Sequence, residues 1–303
     1  MTENYDKVSL LLPMNGANNG TVFPDFSPVP KTVTAAVGII TSTAQSKYYG
    51  SSLYVPASAN SALQLPNTFG HLFGSSDWYI GAWIYVPTLS DGTRHVVWQR
   101  ESAIQQHAIS FGVLSTGSPF LQLGGTTGNS SNNGGASLTS GAESFSQGAW
   151  AHIAAARSGN TVRVFANGVV SESAAFSISV FESTQSVNIG SDGGTRREHY
   201  VNDLEIQIGG TVPSANFTPP TRRIGTISNA DAGSDKIRDI NGDPAERTVF
   251  AVPRSAPVRM WSTVSNASGE FEIQAPAGVD HSVVALADEA TLYNDIVHRV
   301  IPE

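Results

Sequence analysis

Apolar residues recur along this chain with a period of two, and a 3.6-residue period is almost absent. Residues 150–169, WAHIAAARSGNTVRVFANGV, show the pattern best. Ile153 and Ala155 fall on one face by their two-residue spacing until Ser158-Gly159-Asn160 breaks the run. Val162 and Val164 then alternate with Arg163 and Phe165. Asn167-Gly168 follows, and such a pair readily takes the two positive φ angles of a type I′ turn. The spacing predicts an antiparallel meander here.

Other runs continue the theme. KVSLLLPM, ending at Met14, reads as a strand before a turn cluster at residues 15–20. Residues 31–40 read as a strand pair with a glycine break, and Ser52–Val55 and Ala62–Leu65 as short strands stopped by Pro56 and Pro66. Trp78–Val86 is the strongest strand, and Pro87 ends it. Residues 95–99, 108–113 and 119–123 follow at the roughly 8–12-residue spacing of a β-sandwich. Residues 124–144 read as a low-complexity loop, poor in apolar surface. Strands resume at 151–157, 161–166, 186–190 and 200–208. The best helix candidate, 288–293, is very short.

Pro219-Pro220 stops any strand and stiffens the chain, which predicts a boundary near residue 222. Beyond it a second strand set runs through 226–228, 247–253, 258–264, 270–274, 282–287 and 296–301. By pattern this is a small immunoglobulin-like or transthyretin-like sandwich. The expectation is therefore an all-β chain: a β-sandwich over 1–222 and a small β-sandwich over 223–303.

Composition narrows the function. The 303 residues leave ample length for a core. Only 14% are charged, against a usual ~25%. A net charge of −8 argues against nucleic acid as a partner, which needs a basic footprint. No apolar stretch is long enough to insert in a membrane, and the first residues lack the pattern of a signal peptide. With no cysteine, disulfides and thiolate-bound zinc are excluded.

Several segments carry a family resemblance. WAHIAAARSGNTVRVFANGV resembles a hairpin of laminin-G/concanavalin-A-like jelly rolls, especially the copies in bacteriophage structural proteins. VSLLLPMNGANNGTVFPDFSP (8–28) resembles the opening of such domains, and STAQSKYYGSSLYV (42–55) an early strand. WYIGAWIYV (78–86) is similar to their central strand, with Gly81 where a glutamate is usual. HYVNDLEIQIGG (199–210) resembles their closing strand, with Asn202 and Glu205 departing from the pattern and Asp203 keeping it. NFTPPT (216–221) resembles the close of many phage copies. The segments 242–255, 261–276 and 283–302 resemble a carboxypeptidase-regulatory or transthyretin-like module that virion proteins append.

The resemblance implies that residues 1–222 form a jelly-roll β-sandwich. It further implies a bacteriophage virion protein, of fibre, tail-tip or capsid-decoration type, that binds and does not catalyse. Its implied partners are other virion proteins, further copies of itself and host surface glycans, and its implied location is the particle surface. Purely structural cement is one alternative. A polysaccharide-active enzyme is another, because glucanases share the fold. Those enzymes set carboxylates two residues apart on one strand, and retaining chemistry holds the pair about 5 Å apart. No E-x-D-x-E run occurs; Asp203 and Glu205 share a face by spacing, as do Glu270 and Glu272. No His lies near a G-x-S-x-G motif, and His152 reads as a packed structural residue.

The resemblance also implies a rim calcium ion, for which Asp192, Asn202 and Asp203 are the candidates. In the simpler alternative residues 192–194 form a turn and Asp203 faces solvent. The D-x-N-x-D piece at 239–243 has Phe250 where an EF-hand needs Glu. Sugar binding calls for exposed aromatic rings beside polar side chains. Trp83 and Trp150 read as core, whereas Trp98, Arg196, Arg197, His199 and Tyr200 are the surface candidates. In the second module Ile296–Ile301 reads as either the last core strand or a docking edge, and Pro253 and Pro257 as guards of another edge.

Overall fold

A computed structural model describes residues 2–57, 62–65, 73–89, 94–102, 106–125, 135–139, 145–182, 185–190, 197–220, 224–228, 237, 244, 246–254, 260–277, 279–285, 296–300 and 302. The chain forms two compact units, Lys7–Pro219 and Pro220–Glu303, with Met1–Asp6 counted in the second. The described elements are strands, apart from one 3-10 helix, Thr2–Lys7. Among the described residues no helix is long and apolar enough to cross a membrane.

The larger unit is a jelly roll of two antiparallel sheets. One has eight strands, in the order Val169–Ala175, Thr161–Ala166, Trp150–Ser158, Trp78–Tyr85, His199–Ile208, Ser52–Val55 and Ile40–Ser42. Val8–Leu12, the eighth, lies alongside the far half of His199–Ile208. The other has seven, in the order Ala136–Leu138, Pro119–Leu123, Gln106–Leu114, Arg94–Ser102, Val187–Ile189, Leu63–Leu65 and Thr34–Ala35. Alternation decides what meets between them. Ile80, Ile84, Ile153, Val162, Val164 and Ile206 from the first sheet share one core with Leu63, Trp98, Phe111, Leu121 and Ile189 from the second.

The meander at 150–169 folds as its spacing predicts. Trp150–Ser158 pairs with Thr161–Ala166, and the second turn has φ of 49° at Asn167 and 81° at Gly168. Elsewhere the pattern needs correction. Ala136–Leu138, inside the expected low-complexity loop, is a strand, and Leu138 is fully buried. The strand pair expected at 31–40 is two short pieces, Thr34–Ala35 and Ile40–Ser42. The helix candidate at 288–293 lies outside the described residues.

The smaller unit has a two-stranded sheet, Ile224–Ser228 with Glu272–Pro276, and a four-stranded one. The latter runs in the order Trp261–Val264, Thr248–Pro253, His281–Ala285 and Ile296–Val300. Ile227, Val249, Ala251, Phe271, Ile273 and Val283 are buried. Tyr5 is buried too, its ring 6.3 Å from that of Trp261, which ties the first residues to this unit. Pro253 does not guard an edge. It ends an interior strand, paired with His281, and Pro257 lies outside the described residues.

Candidate functional site

The face of the eight-stranded sheet turned away from the core can be read as a grid, because register fixes which side chains sit side by side. At one end Tyr54 pairs with Tyr200, Tyr200 with Tyr85, and Tyr85 with Trp150. Each neighbour in the strand to the core side is apolar and buried, as Leu53, Ile84 and Val201 are, so these four rings point outward. They form one row over four adjacent strands. Ring centroids are 5.0 Å apart for Tyr54–Tyr200, 5.9 Å for Tyr200–Tyr85 and 5.7 Å for Tyr85–Trp150. Tyr54, Tyr85 and Trp150 are half-buried, and Tyr200, in the middle, is 7% exposed.

Glu198 flanks the row beside Tyr200, two residues before it in the chain. The Tyr200 hydroxyl donates to its Oε1 at 3.4 Å. Burial, and then the Glu198 charge, push the Tyr200 phenol up to about 12. Tyr54 is raised for the same two reasons, in the same order. Both phenols thus stay protonated donors at any physiological pH.

The next position along the grid is covered. Trp83 pairs with His152 on one side and Asn202 on the other. Lys47 Nζ lies 4.1 Å from the Trp83 ring centre, a cation–π contact. Tyr48 meets Trp83 edge-on at 5.9 Å. Further down, Phe217 packs on Phe165, His152 and Tyr79, at 5.1, 5.9 and 6.3 Å. Asn216 Oδ1 accepts the Val170 N–H, so the NFTPPT segment fastens down this end of the face. Gly81 has its own reason here: a Cβ would lie 1.9 Å from the Tyr79 hydroxyl, whose ring crosses the glycine. The row lies beyond these covering segments, with Tyr54, Tyr85 and Trp150 half open.

The sequence candidates separate under this geometry. Tyr200 belongs to the row. Trp98 does not face solvent: it is fully buried, in a central strand between Ile189 and Phe111. His199 is also buried, its ring 5.6 Å from that of His95 and its Nδ1 donating to the Arg197 carbonyl. Arg197 is half-buried, and its charge helps hold His95 low, which places it on the His95 side. Arg196 and Asp192 lie outside the described residues.

Asn202 and Asp203 are not placed as rim calcium ligands. Asn202 is fully buried; its Nδ2 donates to the carbonyls of Pro13 and Ser51, and its Oδ1 accepts the N–H groups of Lys47 and Tyr48. Both lone pairs a cation would need are taken by the chain. Asp203 does not face solvent either: it is 3% exposed and accepts the Tyr49 hydroxyl at 2.9 and 3.1 Å. It sits in a β-bulge with φ of 53°. The bulge makes Val201 and Leu204 both face the core, so the simple two-residue spacing of Asp203 and Glu205 is broken. Among the described residues no three His, Asp or Glu side chains gather as a metal site would require. His152, as expected, is buried, edge-on to Trp83 at 5.3 Å. Trp83 is buried and Trp150 only half-buried. The sequence reading passed over Tyr54 and Tyr85, because only strand register brings them to Tyr200, and over Glu198, two residues before it.

A two-sheet antiparallel jelly roll with this strand order has the concanavalin A-like fold. Residues 57–202 match the family model of the concanavalin A-like lectin/glucanases superfamily. The fold is similar to the binding domain of Paraclostridial Mosquitocidal Protein 1, at 14% identity and a TM-score of 0.51, over 97% of this chain and 73% of that one. It is also similar to the botulinum neurotoxin serotype D binding domain, at 12% identity and a TM-score of 0.50, over 94% of this chain and 73% of that one. No curated protein matches the sequence.

Proposed function

We propose that the protein is a non-enzymatic component of a bacteriophage particle whose lectin-like domain binds host surface glycans. The observation that carries glycan binding is the outward row Tyr54–Tyr200–Tyr85–Trp150 with Glu198 beside Tyr200. Aromatic rings offer large, rigid apolar faces to sugar C–H groups, and phenols and a carboxylate supply the polar contacts that orient them. The family match and the fold, shared with toxin binding domains, agree with a binding role. The particle assignment rests on the resemblance of residues 42–55, 150–169 and 216–221 to phage structural proteins. In this reading the smaller unit docks to the particle or to further copies of the chain.

The test is binding of the full chain to a glycan array, with Tyr85→Ala and Trp150→Ala alongside. We expect each variant to lose at least about tenfold in affinity, roughly 1.4 kcal/mol, with an unchanged fold by circular dichroism. A wild-type chain that binds no glycan yet labels the particle in electron micrographs would leave structural cement as the function. Release of reducing sugar from a host polysaccharide would make it an enzyme.

A further inference from the structure

We infer that the row takes a single uncharged glycan chain lying across the strands, with its sugars against the open parts of Tyr54, Tyr85 and Trp150 and passing over the buried Tyr200, and that Glu198 turns acidic sugars away. This rests on the glycan-binding reading above and names the ligand class of that site.

Spacing is the first ground. Each ring stands on its own strand, and adjacent strands lie about 4.8 Å apart. The measured steps of 5.0, 5.9 and 5.7 Å follow that repeat. An extended pyranose chain advances by a similar length per sugar, so about four sugars span the row from Tyr54 to Trp150. Tilt is the second ground. The ring planes meet at 42°, 79° and 51° along the row. A flat crystalline polysaccharide could not lie against all four, whereas one chain that turns from sugar to sugar presents a fresh face at each step.

Charge is the third ground. Glu198 stands at the Tyr54–Tyr200 end, close enough to accept from one phenol and raise both. It is a good acceptor for sugar hydroxyls and a poor neighbour for a sugar carboxylate. Among the described residues, two cations nearby point elsewhere. Lys47 lies over Trp83, one grid position away from the row. Arg197 acts on His95.

The probes are linear neutral oligosaccharides of one to six sugars and their uronic or sialylated counterparts, titrated against the full chain by calorimetry. Affinity should rise at least about tenfold from two sugars to four and then level off. Acidic counterparts should bind at least about tenfold more weakly, and Glu198→Gln should narrow that gap about fivefold without changing the melting temperature. Acidic chains that bind the wild type as well as neutral ones overturn the inference, as does a monosaccharide that binds as tightly as a tetrasaccharide. Either result leaves the site itself standing, provided Tyr85→Ala abolishes the binding seen. Binding indifferent to Tyr85→Ala removes both the site and this inference.

Discussion

Asn202 uses both amide hydrogens and its carbonyl oxygen on the main chain, joining residues 13, 47, 48 and 51 across the strand His199–Ile208. From sequence it is one polar residue in a polar-looking strand, next to an aspartate, and such a pair suggests a cation. What decides otherwise is burial, since a buried amide must find partners and here all of them are backbone groups. Trp98 misleads in the opposite direction. Its polar neighbours in HVVWQRES suggest a surface, but the strand is central in its sheet and its ring enters the core. The Asn202 clamp gives a direct expectation. Asn202→Ala strands the N–H groups of Lys47 and Tyr48 at about 1–3 kcal/mol for each left unsatisfied, with water recovering some, while the Pro13 and Ser51 carbonyls keep the Asp203 N–H and the Ser46 hydroxyl. Chemical denaturation should show a loss of about 3 kcal/mol. A loss under about 1 kcal/mol would mean that loop 45–51 holds its place without the amide.

The element most legible in the sequence is the meander at 150–169, because both of its signals are local: alternation within each run and an Asn-Gly turn between positions fixed by φ. The aromatic row is the least legible. Its residues stand at 54, 85, 150 and 200, and only pairing across four strands makes them neighbours. Nothing in any one segment marks its aromatic residue as special. The two turns of the meander also separate backbone strain from crowding. Gly159 has φ of 58° and open space around a would-be Cβ, so Gly159→Ala should cost about 1–2 kcal/mol from the left-handed conformation alone. Gly168 has φ of 81°, and a Cβ there would lie 1.9 Å from the Phe217 carbonyl oxygen, a backbone atom that cannot swing away. Gly168→Ala should therefore cost more, by at least about 1 kcal/mol, and should loosen Phe217 from Phe165. Paired urea titrations of the two variants check the order, and equal costs would show that the 211–219 segment moves aside freely.

At the scale of the whole molecule, each compact unit contains histidine buried in its neutral form. In the larger unit His95 is held down to about 3, by burial first, then by His199 and Arg197, and His199 to about 4, by burial. The two rings join the sheets: His95 belongs to Arg94–Ser102 and His199 to His199–Ile208. In the smaller unit His281 is lowered to about 4, again mainly by burial, with its Nδ1 donating to the Val279 carbonyl. Each folded value lies below the unfolded value of about 6.5, so between the two the unfolded chain binds the extra proton. Stability from these groups is therefore complete above about pH 6.5 and is lost as the pH falls toward 4, at up to about 1.4 kcal/mol per pH unit for each histidine. Ordinary carboxylates contribute their own acid sensitivity mostly below about pH 5. The window from pH 7 to pH 5 thus isolates the histidines. Melting curves of the full chain should shift downward across it, and His95→Gln combined with His199→Gln should flatten the transition of the larger unit while leaving that of the smaller one pH-dependent. A wild-type chain whose melting temperatures stay constant from pH 7 to pH 5 would show that these rings reach water or a proton acceptor in the folded state.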